Sequence, residues 1–329
     1  MSYASFVARR AAFAVLAAYL VVSLTFVASA LVQQNNLGGQ ISAAQRAGAS
    51  PADIQELRDE FWAERGGSSH VDRYVNFVTG FVALDWGESY ALERPVTDVV
   101  ADRLPYTLAY VVPGVVTAFL AGALLGVLGA FRRNSVFDGI PRLGAYLAMG
   151  LPSFWLVHYL STEFPSTMPW LRPTRAAISA TPRVSEVWSF AHPLRYAVPA
   201  FVLSLGLVAG LLQHSRAESL EYEGKPFVKL LEAKGSSRLR VARHVLRNAA
   251  IPILTLSFVE ILGVLMLNVY ILEAVFNIPG LGMISLYAIE NQDTPLIVGT
   301  TMVLVFVGIG GNFLQDVLYG YLDPTIAQD

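Results

Sequence analysis

Six stretches of this chain are long and apolar enough to cross a bilayer as helices, and none holds a Lys or Arg in its interior. They run from Ala11 to Val32, Pro105 to Phe131, Leu143 to Ser161, Tyr196 to Gln213, Ile251 to Val275 and Pro295 to Tyr319. A hydrocarbon core takes about 20 helical residues. Backbone groups in lipid must be satisfied within their own segment, so helices are the default. The strands of a barrel would alternate over about ten residues, and these runs do not. Composition agrees, with 54% apolar and 15% charged types among 329 residues and a mean hydropathy of +0.49. Soluble domains are nearer 25% charged. This excludes disorder and argues against a water-soluble enzyme. Cysteine is absent, which removes disulfides, thiolate metal sites and cysteine nucleophiles.

The first run follows Arg9 and Arg10 and ends near Ala28-Ser29-Ala30, so a signal peptide is the competing reading. Its length exceeds the usual 7–15 apolar residues of such a peptide, and a retained span is the expectation. Charge sets orientation. The 132–142 connection holds Arg132, Arg133 and Arg142 against Asp138. The 216–250 connection holds eight basic residues against four glutamates, and every lysine of the protein is there. These connections and the N-terminus are expected in the cytoplasm. The 33–104 segment, with eleven acids against six arginines, is expected on the opposite side. The fold class is therefore all-α integral membrane, with six spans, both termini cytoplasmic and a small extracytoplasmic lobe. The divisions are 1–32 (N-terminus and first span), 33–104 (the lobe), 105–319 (the membrane core, including the 216–250 cytoplasmic loop) and 320–329 (the tail).

In the lobe, Ser50-Pro51-Ala52-Asp53 offers a helix start, and Ile54, Leu57 and Phe61 recur at helical spacing. Gly66-Gly67 would stop that helix, and Val71, Tyr74, Val75 and Val78 mark a second amphipathic one. The lobe is either a lid on the span ends or a docking surface for an external partner. The 163–195 loop carries Trp170 and Trp188 as interface anchors.

The 216–250 loop is the most informative segment. Gly224 and Pro226 set up a short helix that shares Phe227, Leu230 and Leu231 on one face, and Gly235 ends it with a left-handed cap. Ser236 and Ser237 can cap a following helix whose Arg240, Arg243 and Arg247 form one stripe, with Leu239, Ala242 and Leu246 displaced from it. Headgroup attraction explains the arginines. It does not explain the apolar face, which calls for a protein groove.

Enzymatic motifs are missing from the sequence. There is no G-x-x-x-x-G-K-[ST] loop, no H-E-x-x-H pair and no G-x-S-x-G elbow. No catalytic residue, metal ligand or cofactor site is expected. Gly122 with Gly126, and Gly308 with Gly310 and Gly311, read as close helix packing. Glu260, about ten residues into the fifth run, either lines a pathway or joins two helices by a hydrogen bond. His158 and Asn268 read as structural; Pro113 and Pro152 can bend their spans.

These motifs together resemble the permease subunit of ABC-type dipeptide and oligopeptide importers, the first of its two permease partners. The resemblance is carried in order by Leu84–Tyr90, Arg94-Pro95-Val96 through Leu108, Leu151–Leu156, Ala233-Lys234-Gly235 with Arg243–Pro252, Glu273–Gly282, and Asp316 to Pro324. It implies the type I importer permease fold. It implies an "EAA" loop at 216–250 whose coupling helix, near 226–234, docks in an ATPase groove. The residues so marked are Phe227, Leu230, Leu231, Glu232, Ala233, Lys234 and Gly235. Implied partners are a second related permease (a heterodimer), two cytoplasmic ABC ATPase subunits, an extracytoplasmic solute-binding protein and membrane lipid, with no nucleic acid and no cofactor. Hydrolysis would reside in the ATPases, so this chain is not itself an enzyme. Pro226, Glu232, Glu260 and Thr325 depart from the family pattern. The solute stays open among peptides, nickel complexes and sugars. Competing readings are a secondary transporter using Glu260 for ion coupling, an intramembrane hydrolase built on Ser153 and His158, and a scaffold without transport.

Overall fold

A computed structural model describes residues 3–46, 48–63, 69–152, 155–156, 159, 163 and 194–322. Within its helices some side chains, those of Glu232 and Glu260 among them, lie outside the described set. Among the described residues the elements are α1 (Tyr3–Arg46), α2 (Pro51–Ala63), α3 (His70–Ala83), β1 (Glu88–Ser89), β2 (Arg94–Pro95), α4 (Val96–Phe131), α5 (Val136–Gly150), α6 (Leu194–Glu223), α7 (Pro226–Ala233), α8 (Arg238–Phe276), α9 (Leu281–Glu290) and α10 (Thr294–Leu322). Among the described residues, four helical segments are long and apolar enough to cross a membrane: Tyr3–Leu31, Val96–Phe131, Tyr196–Glu223 and Thr294–Leu318. Leu267–Phe276 and Leu281–Glu290, bent by 88° at their junction, make a fifth if counted as one broken span.

The helices outrun the apolar stretches that seed them. The first helix continues to Arg46 rather than stopping at Val32, and α6 continues past Gln213 to Glu223. In α6, Ala, Leu, Glu and Arg keep helix propensity high where hydropathy has already fallen; the α1 extension, which contains Asn35-Asn36 and Gly38-Gly39, has no such support from propensity. The expected basic helix and fifth span are one element, the 39-residue α8, with Pro252 inside it. The expected third span is interrupted. Helix α5 ends at Gly150, and Leu151 is extended at φ −96°, ψ 112°. A residue before proline is pushed out of the α region, and Pro152 follows. Helical bonding resumes beyond it, where the Trp155 and Leu156 N–H groups donate to the Pro152 carbonyl.

Contacts divide the chain into two units. One comprises Met1–Arg10, Asp102–Tyr287 and Gly310–Asp329; the other comprises Ala11–Ala101 and Ala288–Ile309. In the first, the core joins Tyr106, Tyr110 and Ala118 of α4 to Leu203, Leu207 and Leu211 of α6 and to Leu272, Phe276 and Ile278. Small residues let α4 approach α6 closely. A Cβ on Gly122 would sit 2.6 Å from the Leu211 Cβ, and one on Gly126 would sit 2.6 Å from the Leu212 carbonyl oxygen. That agrees with the packing role expected of this pair. Gly310 differs from its expectation, since a Cβ there would meet nothing within 4 Å. Asp138 of α5 and Arg216 of α6 close this unit further with a two-pronged pair, Nε to Oδ1 at 2.7 Å and Nη2 to Oδ2 at 2.9 Å. The Arg216 guanidinium holds the Asp138 carboxyl below its ordinary value, reinforced by the Asn134 N–H and opposed by desolvation. The chain ends also meet here: Tyr3 donates to the Val317 carbonyl at 3.0 Å, and Arg10 lies 3.3 Å from Asp316.

The second unit contains the lobe helices. Ser50 and Asp53 cap α2 reciprocally, and Ile54, Leu57 and Phe61 form its inner face as their spacing predicts. The expected stop at Gly66-Gly67 lies outside the described residues. Ser69 caps α3 through the Val71 N–H. Of the expected face of α3, Tyr74 and Val78 turn inward, Val78 packing with Val22, Phe81 and Met302, and the rest of its apolar inner face is aromatic. Tyr74 and Phe77 pack on Phe26, and Phe77, Phe81 and Trp86 follow one another in contact, whereas Val71, Val75 and Val82 are exposed. Ring stacking draws the large flat side chains inward. The β1–β2 hairpin pairs Glu88 with Pro95 and Ser89 with Arg94.

Candidate functional site

Helix α7 occupies the position expected of the short loop helix. It opens at Pro226, whose missing N–H costs nothing in a first turn. It closes in a Schellman arrangement: Gly235 is left-handed at φ +74°, and the Ser236 N–H reaches back to the Leu231 carbonyl at 3.0 Å. Ser237 holds the N-cap position of α8 but makes no side-chain capping bond. The residues of the expected apolar face divide between two environments. Leu230 is 56% exposed, and Lys229, Ala233, Lys234 and Gly235 are exposed around it. Phe227 and Leu231 are half-buried beside Val228, which packs with Val241 and Val245 of α8. Thus α7 is anchored to α8 by one edge and presents the other. On α8, Arg240, Arg243 and Arg247 are exposed, while Val241, Val245 and Ala249 face inward. The Glu232 and Glu260 side chains, and Ser153 and His158 entirely, lie outside the described residues, as do Trp170 and Trp188.

At the far end of α8 the structure assembles a site that hydropathy and motif spacing did not single out. Glu273 is fully buried. Its Oε1 accepts from Thr107 Oγ1 at 2.6 Å and from the Tyr110 hydroxyl at 3.2 Å. Its Oε2 accepts from the Met283 N–H at 3.0 Å, and the Gly282 N–H also donates to the carboxylate. Thr107 in turn accepts from the Leu281 N–H at 2.9 Å. Arg103 donates to the Pro279 carbonyl at 3.4 Å. Asn277, left-handed at φ 52°, caps α8 and starts the turn into α9. A side chain at Gly280 would collide with the Glu273 carboxylate and the Thr107 hydroxyl, so only glycine fits. A carboxylate therefore pins the 88° bend to α4. Arg103–Leu108 and Glu273–Gly282, two of the segments that carried the resemblance, are in contact here. A buried glutamate near a Pro-Gly-x-Gly turn was the available sequence signal.

A second buried carboxylate, Asp293, was also missed. It accepts from Ser89 Oγ at 2.5 Å and from the Ala91 N–H at 3.0 Å. Its other oxygen caps α10 through the Leu296 N–H at 3.2 Å. An acid one residue before Thr294-Pro295 was its only local clue.

A chain of long apolar helices, with a small amphipathic helix anchored to the 39-residue α8 and buried polar clamps at helix junctions, has the make-up of a multi-pass membrane component. Residues 118–328 match the family described as "Binding-protein-dependent transport system inner membrane component". A Brucella abortus protein named for a peptide transport system permease is 30% identical over 288 residues, covering 86% of this chain and 87% of that one. The Bacillus subtilis dipeptide transport system permease protein DppB is 28% identical over 78% of this chain and 79% of its own length. The oligopeptide transport system permease protein AppB of the same organism is 27% identical over 84% and 87%. The chain belongs to the family of binding-protein-dependent transport system inner membrane components. It is an importer's permease subunit, a multi-pass protein of the inner membrane rather than an enzyme, and its family works with ATPase and binding-protein partners. Membership sets aside the secondary-carrier and hydrolase readings.

Proposed function

We propose that this chain forms half of the translocation pathway of a peptide importer and that α7 is its coupling helix. The observation that carries the proposal is the union of α7 with α8. Val228 locks α7 onto Val241 and Val245, and α8 runs without interruption from Arg238 to the bend at Phe276. A displacement of α7 is thereby delivered along one continuous helix, with Pro252 inside it, to the Glu273 clamp. Nucleotide binding in the ATPases moves α7, and the spans rock between two arrangements, a rigid-body transition of known kind. The bias comes from contacts that differ between those arrangements. Leu230, Lys229, Ala233 and Lys234 present the free edge of α7 to the ATPase groove. Phe227 and Leu231 hold it against α8, Gly235 ends it, and Glu232 belongs to the same coupling segment.

Six spans with both termini in the cytoplasm are part of the same proposal. The meeting of Tyr3 and Arg10 with Val317 and Asp316 supports an even number of crossings. The 33–104 lobe then lies outside, where a solute-binding protein docks. A second, related permease completes the pathway as a heterodimer. Peptides are proposed as the solute because relatives similar over most of the chain are named for peptide transport.

The absence of native cysteine makes the test direct. Single cysteines at positions 227–231 are introduced in the reconstituted transporter and crosslinked. Position 230 should give the strongest adduct to an ATPase subunit and 228 the weakest. Gly235→Val should strain the left-handed cap and uncouple hydrolysis from peptide uptake while assembly persists. No ATPase adduct at any position, or full uptake by the Gly235→Val variant, would remove the coupling assignment.

A further inference from the structure

We propose that the second unit holds a binding site for an organic cation with an apolar body, an ammonium group beside a hydrocarbon. A cavity of about 770 Å³ opens there, within the range of small-molecule sites. Its lining includes three aromatic rings, Phe77, Phe81 and Trp86. Phe77 and Phe81 lie 5.1 Å apart, and Phe81 stacks on Trp86 at 5.2 Å with their planes 20° apart. Its lining carries three acids, Asp85, Glu88 and Glu93, against one arginine, Arg73. Aromatic faces and carboxylates together attract a cation that also needs apolar contact. A bare metal ion fits poorly, because among the described residues no three His, Asp or Glu groups lie close enough to hold one. The lining instead combines acids with aromatic rings, as a larger cation with an apolar body requires.

The site is built rather than incidental. Glu93 is left-handed at φ 51°, its N–H bonded to the Ser89 carbonyl at 3.0 Å. Such a conformation costs a non-glycine residue about 1–2 kcal/mol. It is held because Ser89, at the base of the turn, is tied to the buried Asp293. The Asp293 clamp thereby holds Glu93 in place at the cavity. Two sources supply this chemistry: the amino end of a short apolar peptide, and a phosphatidylethanolamine headgroup with its acyl chains. The proposal does not depend on the transport reading.

The test uses the full chain in nanodiscs of phosphatidylglycerol, which has no amine. Tryptophan emission is followed as leucyl-leucine is added, or as phosphatidylethanolamine is doped into the disc. The N-acetyl dipeptide and an N-acylated phosphatidylethanolamine, each uncharged at its nitrogen while keeping its anionic group, are the controls, called neutral for that nitrogen, and Trp86→Phe identifies the reporting ring. A saturable change with at least one amine is expected, absent with its neutral control and absent in Trp86→Phe. The double variant Glu88→Gln/Glu93→Gln should raise the midpoint about fivefold, as two exposed ion pairs would, with helical circular dichroism unchanged. A response to the dipeptide alone names a soluble ligand; a response to the lipid alone names the bilayer. No saturable response, an equal response to the neutral controls, or an unmoved midpoint in the double variant would overturn the site.

Discussion

Replacing Glu273 with alanine removes the acceptor for four donors at once: the Thr107 and Tyr110 hydroxyls and the Gly282 and Met283 N–H groups. An orphaned buried donor costs about 1 kcal/mol or more, and hydrogen bonds between membrane helices average about 0.6 kcal/mol. Four of them give about 2–4 kcal/mol. The hydroxyls can rotate toward other acceptors, but the two backbone N–H groups are fixed by the turn, so the lower end of that range should survive relaxation. Glu273→Gln keeps an amide oxygen for the N–H pair and turns its NH2 toward the hydroxyl oxygens, which predicts a loss of about 1 kcal/mol. The ordering Ala well below Gln, and Gln slightly below wild type, is therefore expected in thermal unfolding of the purified assembly. Proteolysis at residues 277–283 should quicken in the same order. An alanine variant within about 0.5 kcal/mol of wild type, or one more stable than the glutamine variant, would refute the clamp, since no other described carboxylate serves these donors.

Three further outcomes follow from packing and charge. Gly126→Val places a Cβ against the Leu212 carbonyl and the Arg216 N–H at 2.6 and 2.9 Å; backbone cannot yield as a side chain can, and folded yield should fall sharply, whereas Gly144→Ala, with nothing within 4 Å, should leave it unchanged. Asp138→Asn should cost about 2 kcal/mol at neutral pH by breaking the bidentate pair. Because the folded carboxyl titrates below its unfolded value, that advantage is full above the ordinary carboxylate range and fades as pH falls through the depressed value. Unfolding curves of wild type and variant should converge in acid, and a pH-independent gap would refute the assignment. Asp293→Ala should speed hydrogen exchange across 88–95 while leaving 226–233 unaffected, because only the hairpin and the start of α10 lose their acceptor.

The sequence alone determined which stretches lie inside long apolar helices and how the 216–250 loop divides. Those are local properties. A run of some 20 apolar residues is sufficient for a membrane helix, and Pro226 and Gly235 punctuate the chain through their own backbone geometry. The Gly122–Gly126 spacing likewise gave a packing face that the structure realises against α6. Helix ends were less legible. Hydropathy marks where lipid contact stops, but α1, α6 and α8 extend beyond those marks. The apolar face of α7 was legible as a face, yet its division between exposed Leu230 and anchoring Val228 depends on α8. Tertiary structure decided the buried polar sites. Thr107 and Glu273 are 166 positions apart, Ser89 and Asp293 are 204 apart, and Asp138 and Arg216 are 78 apart. A carboxylate's role is set by the donors that surround it after folding, and no periodicity along the chain encodes a meeting at such distances.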